Sequence, residues 1–365
     1  MKVLIAGGGT AGHVFPAIAL GERLVRAGAE VVFFGTTRGL ETDLVPKAGF
    51  ELVALDAAPF PRRLSLGIAT ASVALLRAER RCRPLVTGVD AVVGMGGYAS
   101  GPAVLAAFRA RAPVVLHEQN AVPGAANRLF SRRARLTALS FAEAAGWFPK
   151  GAKTRVTGNP VRERITAVCH DREALRAQAR AEFRLDRGRT TLVVFGGSQG
   201  ALHLDEVGAR ACGLLADRAD LQVILLTGRA HHGATLREIR EGAPLLVRVL
   251  PFLDRMELAY AAADLVVARA GASSIAEIAA CGLPSLLVPY PYATANHQEV
   301  NARALERAGA ASVLVDSEMT PETLVARLGS MISGGLKDMA GRAAAWGDPE
   351  AAGAVASIVM GEAAR

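Results

Sequence analysis

The chain has 365 residues, of which 51% are hydrophobic and 21% charged, and its formal net charge is +8. This length suits two domains, and the apolar content is sufficient for a packed core in each. Arginine supplies nearly all of the positive charge, while aromatic residues make up only 5% of the chain and no basic patch interleaves with them. Since surfaces that bind single-stranded nucleic acid combine basic side chains with aromatic stacking platforms, we expect no nucleic-acid partner.

The four cysteines, Cys82, Cys169, Cys212 and Cys281, lie far apart and have no metal-binding or redox spacing. The chain opens directly with a strand-like run and lacks the charged and apolar regions of a signal peptide. No uncharged apolar run reaches the roughly 18 residues of a membrane-spanning helix. We therefore expect a cytoplasmic protein, which can still bind to a membrane surface.

Strand-like and helix-like segments alternate along the chain, a pattern that predicts parallel sheets covered by helices. The strands are predicted at 2–6, 30–34, 51–55, 90–94, 113–117 and 135–139, then at 191–196, 222–227, 246–249, 264–268, 285–288 and 312–315. The clearest helices are predicted at 15–27, 202–217, 274–281, 296–308 and 337–362. The turn Gly158-Asn159-Pro160 and the charged stretch that follows it predict the joint between two domains.

The first strand leads into the glycine-rich turn 7–12, which is followed by His13 and the helix 15–27. The Gly-x-Gly-x-x-Gly spacing matches the dinucleotide fingerprint, in which a helix N-terminus binds a phosphate. The second strand ends at 34–38 without the carboxylate that usually binds a ribose hydroxyl, although Arg38 could bind a 2′-phosphate. An NADP-dependent oxidoreductase is therefore one interpretation of this turn.

Two more strand ends in the first half carry residues that simple packing does not explain. The segment 94–102 combines four glycines with Tyr98, and the run His117-Glu118-Gln119-Asn120 follows a buried strand. Ligands of open α/β sheets bind at the carboxyl ends of the strands. Together with His13, these residues predict a site at that edge of the first sheet.

The second half repeats the arrangement, with the glycine-rich turn 196–200 after a strand. Further on, the loop 269–277 links a strand to a helix, and Ser274 and Glu277 have capping-box spacing. Glu277 could satisfy the helix end or accept hydrogen bonds from ribose hydroxyls. The cluster Asn296-His297-Gln298-Glu299 could likewise recognise hydroxyl groups or form an N-cap with a solvated first turn.

The segment 60–84 has apolar residues bracketed by six arginines. One interpretation is a core-facing helix with basic ends. The other is an interfacial element whose apolar residues enter lipid while its arginines bind anionic headgroups.

Seven motifs, in this order and spacing, resemble those of the MurG family of peptidoglycan N-acetylglucosaminyltransferases: GGGTAGHVFPAIAL, GMGGYASGP, HEQN, GNPVR, GGSQGA, RAGASSIAEIAACGLP and NHQEVNA. The likeness runs over nearly the whole chain. It implies an α/β protein of the GT-B fold, with two Rossmann-like domains whose parallel sheets face each other across a cleft. The acceptor- and membrane-facing domain is expected at 1–160, with a tail helix at about 341–365 packing back on it, and the UDP-GlcNAc-binding domain at 161–340.

The resemblance also implies an activity, the transfer of GlcNAc from UDP-GlcNAc to the C4 hydroxyl of lipid I, undecaprenyl-pyrophosphoryl-MurNAc-pentapeptide, to give lipid II. This reaction would serve cell-wall synthesis, cell shape and cell division at the cytoplasmic face of the membrane. The expected partners are UDP-GlcNAc, lipid I, an anionic membrane surface bound through about 60–84, and other cell-wall synthesis proteins. No cofactor and no metal is expected, because the chain lacks the Asp-x-Asp element of metal-dependent sugar transferases.

Residue by residue, the resemblance places Thr10, Ala11 and Gly12 at a substrate phosphate. It places Asn120 and Gln298 at the donor sugar, Arg162 and Ser198 at the UDP portion, and the Leu253 backbone at the uracil. Glu277 is placed at the ribose. The remaining substrate-binding candidates are Tyr98, Gln199, Ala272, Ser273, Ser274, Ile275, Ala276 and His297. Ala11 and His297 stand where some family members have glycine and glutamine.

The implied change from an α-linked donor to a β1→4 product requires inversion by one direct displacement, and therefore a general base at the acceptor hydroxyl. Histidine suits that task near neutral pH. His13 is the predicted base, and His117 and Glu118 are the other catalytic candidates. Three alternatives stay open: a glycosyltransferase of the same fold with a soluble acceptor, the NADP-dependent oxidoreductase, and a protein that only binds.

Overall fold

The computed structural model describes residues 1–55, 67–197, 200–240 and 242–364. The chain forms two compact units, one comprising Met1–Arg162 with Glu350–Arg365 and the other Glu163–Pro349. Each unit is an α/β domain built on a parallel sheet.

The first unit opens with alternating strands and helices. The strands are β1 (Lys2–Ala6), β2 (Glu30–Thr36), β3 (Glu51–Leu55), β4 (Ala91–Gly94), β5 (Val114–Glu118), β6 (Leu136–Leu139) and β7 (Thr154–Val156). The helices are α1 (Ala11–Arg26), α2 (Glu41–Lys47), α3 (Gly67–Val86), α4 (Gly97–Ala110) and α5 (Ala125–Phe130). Within the described residues the sheet order is β3-β2-β1-β4-β5-β6-β7, and every neighbouring pair is parallel.

Strand β1 shows how the first sheet is buried on both faces. Successive side chains of a strand point to opposite faces. Val3 and Ile5 enter one core cluster, whereas Leu4 and Ala6 enter another, and all four are at most 1% exposed. This two-sided burial explains why the strands of the sequence are continuous apolar runs rather than alternating ones.

The second unit continues the alternation. Its helices are α6 (Glu163–Thr166), α7 (Val168–Phe183), α8 (Leu202–Leu214), α9 (Gly228–Glu238), α10 (Met256–Ala262), α11 (Ala272–Ala280), α12 (His297–Arg307), α13 (Pro321–Gly334) and α14 (Leu336–Trp346). Its strands are β8 (Thr190–Phe195), β9 (Leu221–Leu226), β10 (Leu246–Leu250), β11 (Leu265–Ala268), β12 (Ser285–Leu287) and β13 (Ala311–Val313). They pair in parallel in the order β10-β9-β8-β11-β12-β13 among the described residues.

The end of the chain differs from the single tail helix that the sequence predicts. It forms two helices, α14 in the second unit and α15 (Ala351–Ala363) in the first, so residues 341–349 and 350–365 belong to different units. A Cβ on Gly347 would lie 2.4 Å from the carbonyl carbon and oxygen of Ala279, so only glycine allows this close approach of two backbones. Pro349, which has no N–H group to donate, then precedes α15.

Helix α15 completes the core of the first unit. Val355 and Val359 are fully buried in the cluster that also contains Leu20 of α1 and Ile5 of β1. Among the described residues, no helix is both long and apolar enough to cross a membrane.

Candidate active site

The first glycine turn lies where β1 ends and α1 begins. The Gly7 N–H donates to the Phe34 carbonyl at 3.0 Å, and α1 starts at Ala11, so Ala11 and Gly12 form its first turn. Oγ1 of Thr10 lies 3.0 Å from Nδ1 of His13. The turn therefore presents a histidine whose ring is already oriented by a neighbouring hydroxyl.

The loop between β4 and α4 lies against this histidine. Gly96 and Gly97 have φ values of 84° and 68°, in the left-handed region that favours glycine. A Cβ on Gly97 would lie 3.3 Å from Cε1 of His13, and a Cβ on Gly9 would lie 3.6 Å from the Tyr98 ring. The predicted residues His13 and Tyr98 thus come together at the carboxyl edge of the first sheet.

His117 is fully buried at the end of β5. Its Nδ1 lies 3.1 Å from the amide nitrogen of Gln119, and its Nε2 lies 3.2 Å from the carbonyl oxygen of Gly158. Because the amide nitrogen can only donate and the carbonyl can only accept, the ring is neutral with its proton on Nε2. Burial lowers the pKa of His117 to about 4. Both ring nitrogens therefore have protein partners.

Glu118 is also buried, and backbone and amide groups surround its carboxylate. Oε1 accepts from the Asn120 N–H at 3.0 Å, while Oε2 accepts from the Gly124 N–H at 3.0 Å and from Asn127 Nδ2 at 2.9 Å. Burial raises the pKa of Glu118 although these hydrogen bonds oppose the shift. The carboxylate thus fixes the loop that carries the half-buried Asn120.

Arg162 follows the Gly158-Asn159-Pro160 turn in the first unit. Its guanidinium carbon lies 3.9 Å from the centre of the Phe15 ring, a cation–π contact, and the residue is only 6% exposed. Both polar side-chain atoms of the buried Asn159 lack a hydrogen-bond partner among the described residues. Buried polar groups are normally satisfied, so Asn159 is a candidate for ligand or water contact that the sequence reasoning did not single out.

The second glycine turn follows β8. Gly197 and Gly200 have φ values of 95° and 76°, and a Cβ on Gly200 would lie 2.8 Å from the Thr227 carbonyl oxygen. The predicted donor contacts Ser198 and Gln199 lie outside the described residues. Helix α8 begins just after the turn and directs its first N–H groups toward it.

A buried acid, Asp205 in the first turn of α8, links this turn to the next helix. Its Oδ2 lies 3.3 Å from the Ala201 nitrogen and 3.0 Å from Nδ1 of His231 on α9. Burial raises the pKa of Asp205 to about 6, and the hydrogen bond from His231 opposes that shift. The sequence reasoning missed this pair, since the two residues are separated by a strand and a loop.

Glu277 lies within α11, whose N-cap is Gly271 without a side-chain cap, so the capping-box interpretation is wrong. Its Oε2 accepts from the Tyr260 hydroxyl at 2.9 Å, and the residue is 7% exposed. The same helix carries Ala272, Ser273, Ser274, Ile275 and Ala276.

The loop before α12 carries the remaining candidates. Oε1 of Gln298 accepts from the Tyr290 N–H at 3.0 Å, and Nδ1 of His297 lies 2.8 Å from the Thr294 carbonyl. Leu253 follows β10 and is half-buried. All of these positions follow the carboxyl ends of strands of the second sheet. No group of three or more metal-ligating side chains occurs in the part of the chain that the structure describes.

Comparisons with known proteins agree with this arrangement. Models of the glycosyltransferase family 28 N-terminal and C-terminal domains match residues 3–138 and 191–354. Proteins named UDP-N-acetylglucosamine–N-acetylmuramyl-(pentapeptide) pyrophosphoryl-undecaprenol N-acetylglucosamine transferase are similar over almost their full length. That from Halothermothrix orenii is 41% identical over 98% of both chains, and that from Moorella thermoacetica is 42% identical over 99% of this chain and 98% of the other.

The crystal structure of Acinetobacter baumannii MurG superposes with a TM-score of 0.78 at 31% identity, covering 99% of each chain. The chain belongs to the MurG family of glycosyltransferases. The predicted family and its GT-B fold are thereby confirmed. A UDP-GlcNAc 2-epimerase from Neisseria meningitidis shares the fold alone, with a TM-score of 0.67 at 14% identity and coverage of 99% and 100% of the two chains.

Membership of the MurG family overturns the NADP-dependent oxidoreductase as an interpretation of the first turn. The structure supplies a physical reason. The Gly9 N–H already donates to the carboxylate of Glu41, at 2.7 Å, so this amide of the turn is not available to a dinucleotide pyrophosphate. The sequence pattern alone did not reveal this carboxylate.

We expect the stability of the first unit to depend on pH through His117. The folded ring stays neutral down to a pKa of about 4, whereas the ring of the unfolded chain protonates near 6.5. The unfolded state binds more protons between these values, so stability falls as pH falls, by about 2 kcal/mol between pH 7.5 and 5. Urea unfolding of His117→Gln should show a pH dependence that is smaller by that amount. The same substitution at the exposed His170 is the control, and an NMR titration of His117 with a midpoint near 6.5 would contradict the assignment.

Proposed function

We propose that this protein transfers GlcNAc from UDP-GlcNAc to the C4 hydroxyl of MurNAc in undecaprenyl-pyrophosphoryl-MurNAc-pentapeptide. The observation that carries the proposal is the similarity, at 41% and 42% identity over at least 98% of the chain, to transferases named for these substrates. Two strand-edge sites, one in each unit, suit a reaction with one sugar donor and one acceptor.

We assign the donor to the second unit, 163–349. The N-terminus of α8, which follows the glycine turn, suits a diphosphate, because the first N–H groups of a helix and its dipole favour negative charge there. The Glu277 carboxylate, held by Tyr260, suits the ribose hydroxyls as an acceptor. Gln298 and His297 suit the hydroxyls of the sugar, and the Leu253 backbone suits the uracil.

We assign the acceptor and the general base to the first unit, with Thr10, Ala11, Gly12 and Tyr98 as its contacts. The geometry of His13 favours it over His117 and Glu118 as the base. His13 is half-buried at the strand edge with Thr10 Oγ1 beside its Nδ1, whereas His117 and Glu118 are buried, so His13 is the candidate that an acceptor hydroxyl can reach. Both nitrogens of His117 and both oxygens of Glu118 are also held by protein groups.

The chemistry is a single displacement. Nε2 of His13 takes the proton of the C4 hydroxyl as that oxygen attacks C1 of GlcNAc. The bond from C1 to the diphosphate oxygen breaks, UDP leaves with the electron pair, and the α linkage becomes β. Donors at the N-terminus of α8 offset the charge that develops on the leaving group, and Ser198 and Arg162 stay predicted contacts of the UDP portion.

We place the reaction at the cytoplasmic face of an anionic membrane, with lipid I and other cell-wall synthesis proteins as partners. Residues 60–66 of the segment 60–84 lie outside the described residues, and the remainder belongs to α3. Ala78, Glu79 and Cys82 form a buried face of that helix, whereas Arg80 and Arg81 are exposed. The buried face fits the core-facing interpretation, and we propose that the exposed arginines bind the membrane surface.

The proposed function is tested by incubating the purified protein with radiolabelled UDP-sugars and either lipid I or soluble acceptors. We expect transfer from UDP-GlcNAc to lipid I, in EDTA as well as without it. Transfer to a soluble acceptor alone would replace the proposal with another glycosyltransferase activity. Loss of transfer in EDTA, with recovery on adding Mg²⁺, would overturn the metal-independent mechanism.

His13→Ala and Glu277→Ala should impair different steps, catalysis and UDP binding, so each variant serves as the control for the other. Loss of the base should lower kcat by about 10²- to 10⁴-fold with UDP affinity unchanged. Loss of the ribose contact should weaken UDP binding by about 10- to 100-fold, since a hydrogen bond to a charged group is removed. Calorimetric titration with UDP and steady-state assays separate the two effects. Equal kcat in His13→Ala, or normal UDP affinity in a folded Glu277→Ala protein, would remove that residue from its role.

Reversal of two exposed charges on α3 should weaken membrane binding. Each basic side chain near an anionic surface contributes about 1 kcal/mol, so Arg80→Glu with Arg81→Glu should reduce partition onto anionic vesicles by at least about tenfold. Sedimentation with phosphatidylglycerol vesicles measures this. Arg237→Glu with Arg240→Glu, on the second unit, is the matched control. Unchanged partition of the α3 variant would contradict the assigned surface.

A further inference from the structure

Glu41, the first residue of α2, is a fully buried carboxylate that the proposed mechanism does not use. Its Oε2 accepts from the Gly9 N–H at 2.7 Å. Its Oε1 accepts from the N–H and from the hydroxyl of Thr36, both at 2.8 Å. The side chain thus joins the first glycine turn to the end of β2.

Three glycines make room for this carboxylate. A Cβ on Gly8 would lie 2.2 Å from Oε1 of Glu41, one on Gly39 would lie 2.0 Å from Oε2, and one on Gly35 would lie 2.6 Å from Cγ. None of these glycines has a positive φ. These glycines therefore leave the space that the Glu41 side chain occupies in this position.

The turn that Glu41 holds leads directly to the proposed base. Gly9 has a φ of 86° and donates its N–H to Glu41, and the next residue, Thr10, contacts Nδ1 of His13. A shift of Gly9 would therefore move the Thr10 hydroxyl and with it the orientation of the imidazole. A displacement of about 1 Å can cost about 100-fold in rate when a catalytic group loses its alignment.

We propose that Glu41 is a positioning residue, which fixes the first glycine turn so that Thr10 orients the His13 ring for proton abstraction. The consequence for catalysis rests on the proposed function, whereas the effect on the His13 ring does not. Glu41 contacts no substrate in this proposal and acts through Gly9 and Thr10.

The test compares Glu41→Gln with two variants. In Glu41→Gln an amide N–H₂ faces one of the N–H or O–H donors, so that donor loses its acceptor. We expect kcat to fall by about 10- to 100-fold, with UDP affinity unchanged and with altered NMR signals of the His13 ring. Asp43→Asn, on the exposed face of α2, should alter none of these. Thr36→Val removes one donor on the far side of the carboxylate and should lower stability while leaving the His13 signals in place.

The outcomes separate this proposal from the proposed function. If the unaltered protein shows no transfer, the His13 signals still test the positioning role. Wild-type kcat and unchanged His13 signals in a folded Glu41→Gln protein would overturn it, as would equal His13 changes in Thr36→Val, which would indicate general loosening. If Glu41→Gln does not fold, the rate of hydrogen exchange of the Gly9 amide in the unaltered protein tests whether Glu41 holds the turn. Protection close to that of the β1 amides supports the proposal, and exchange at the rate of an open loop overturns it.

Discussion

Parallel strand pairing determines where each unit can carry chemistry. A parallel strand must be followed by a connection that returns over a face of the sheet, so all carboxyl ends meet at one edge. In the first unit that edge collects His13, Tyr98 and the 117–120 cluster from loops far apart in sequence. In the second it collects the turn after β8 and the segments before α11 and α12. Because helices cover both faces of each sheet, polar side chains concentrate at this edge, where the backbone leaves the hydrogen-bonded strands.

The two glycine turns are alike in sequence but differ in the partners of the buried carboxylate beside each. A buried carboxylate lies at each, Glu41 at the first and Asp205 at the second. Backbone N–H groups and a hydroxyl donate to Glu41, whereas Asp205 has a histidine, His231, as a partner. Glu41 holds the Gly9 N–H directly before Thr10 and His13, which agrees with a first turn that orients a base.

Most strands could be predicted because they are apolar runs that end in glycine or polar clusters. Strand β7 was not predicted because its three residues are partly or fully exposed, so its sequence shows no apolar run. Glu41 was not predicted because two of its three donors are backbone N–H groups, which leave no trace in the residue types. Gly35 and Gly39 on either side of the turn before Glu41 were the available signal. The tail is divided into two helices beside Gly347, whose backbone approaches that of Ala279. A helical pattern of apolar residues gives no sign of such a contact.

Helix α15 belongs to the first unit although it ends the chain, and this has a consequence for biosynthesis. Residues 1–162 leave the ribosome before the second unit is made, yet the core around Ile5 and Leu20 is complete only when Val355 and Val359 arrive. Domains generally fold in order from the N-terminus during synthesis. Here the first unit exposes part of its apolar core throughout the translation of 163–349. Truncation of the last helix would therefore leave the N-terminal unit prone to aggregation, even though the second unit retains all of its own residues.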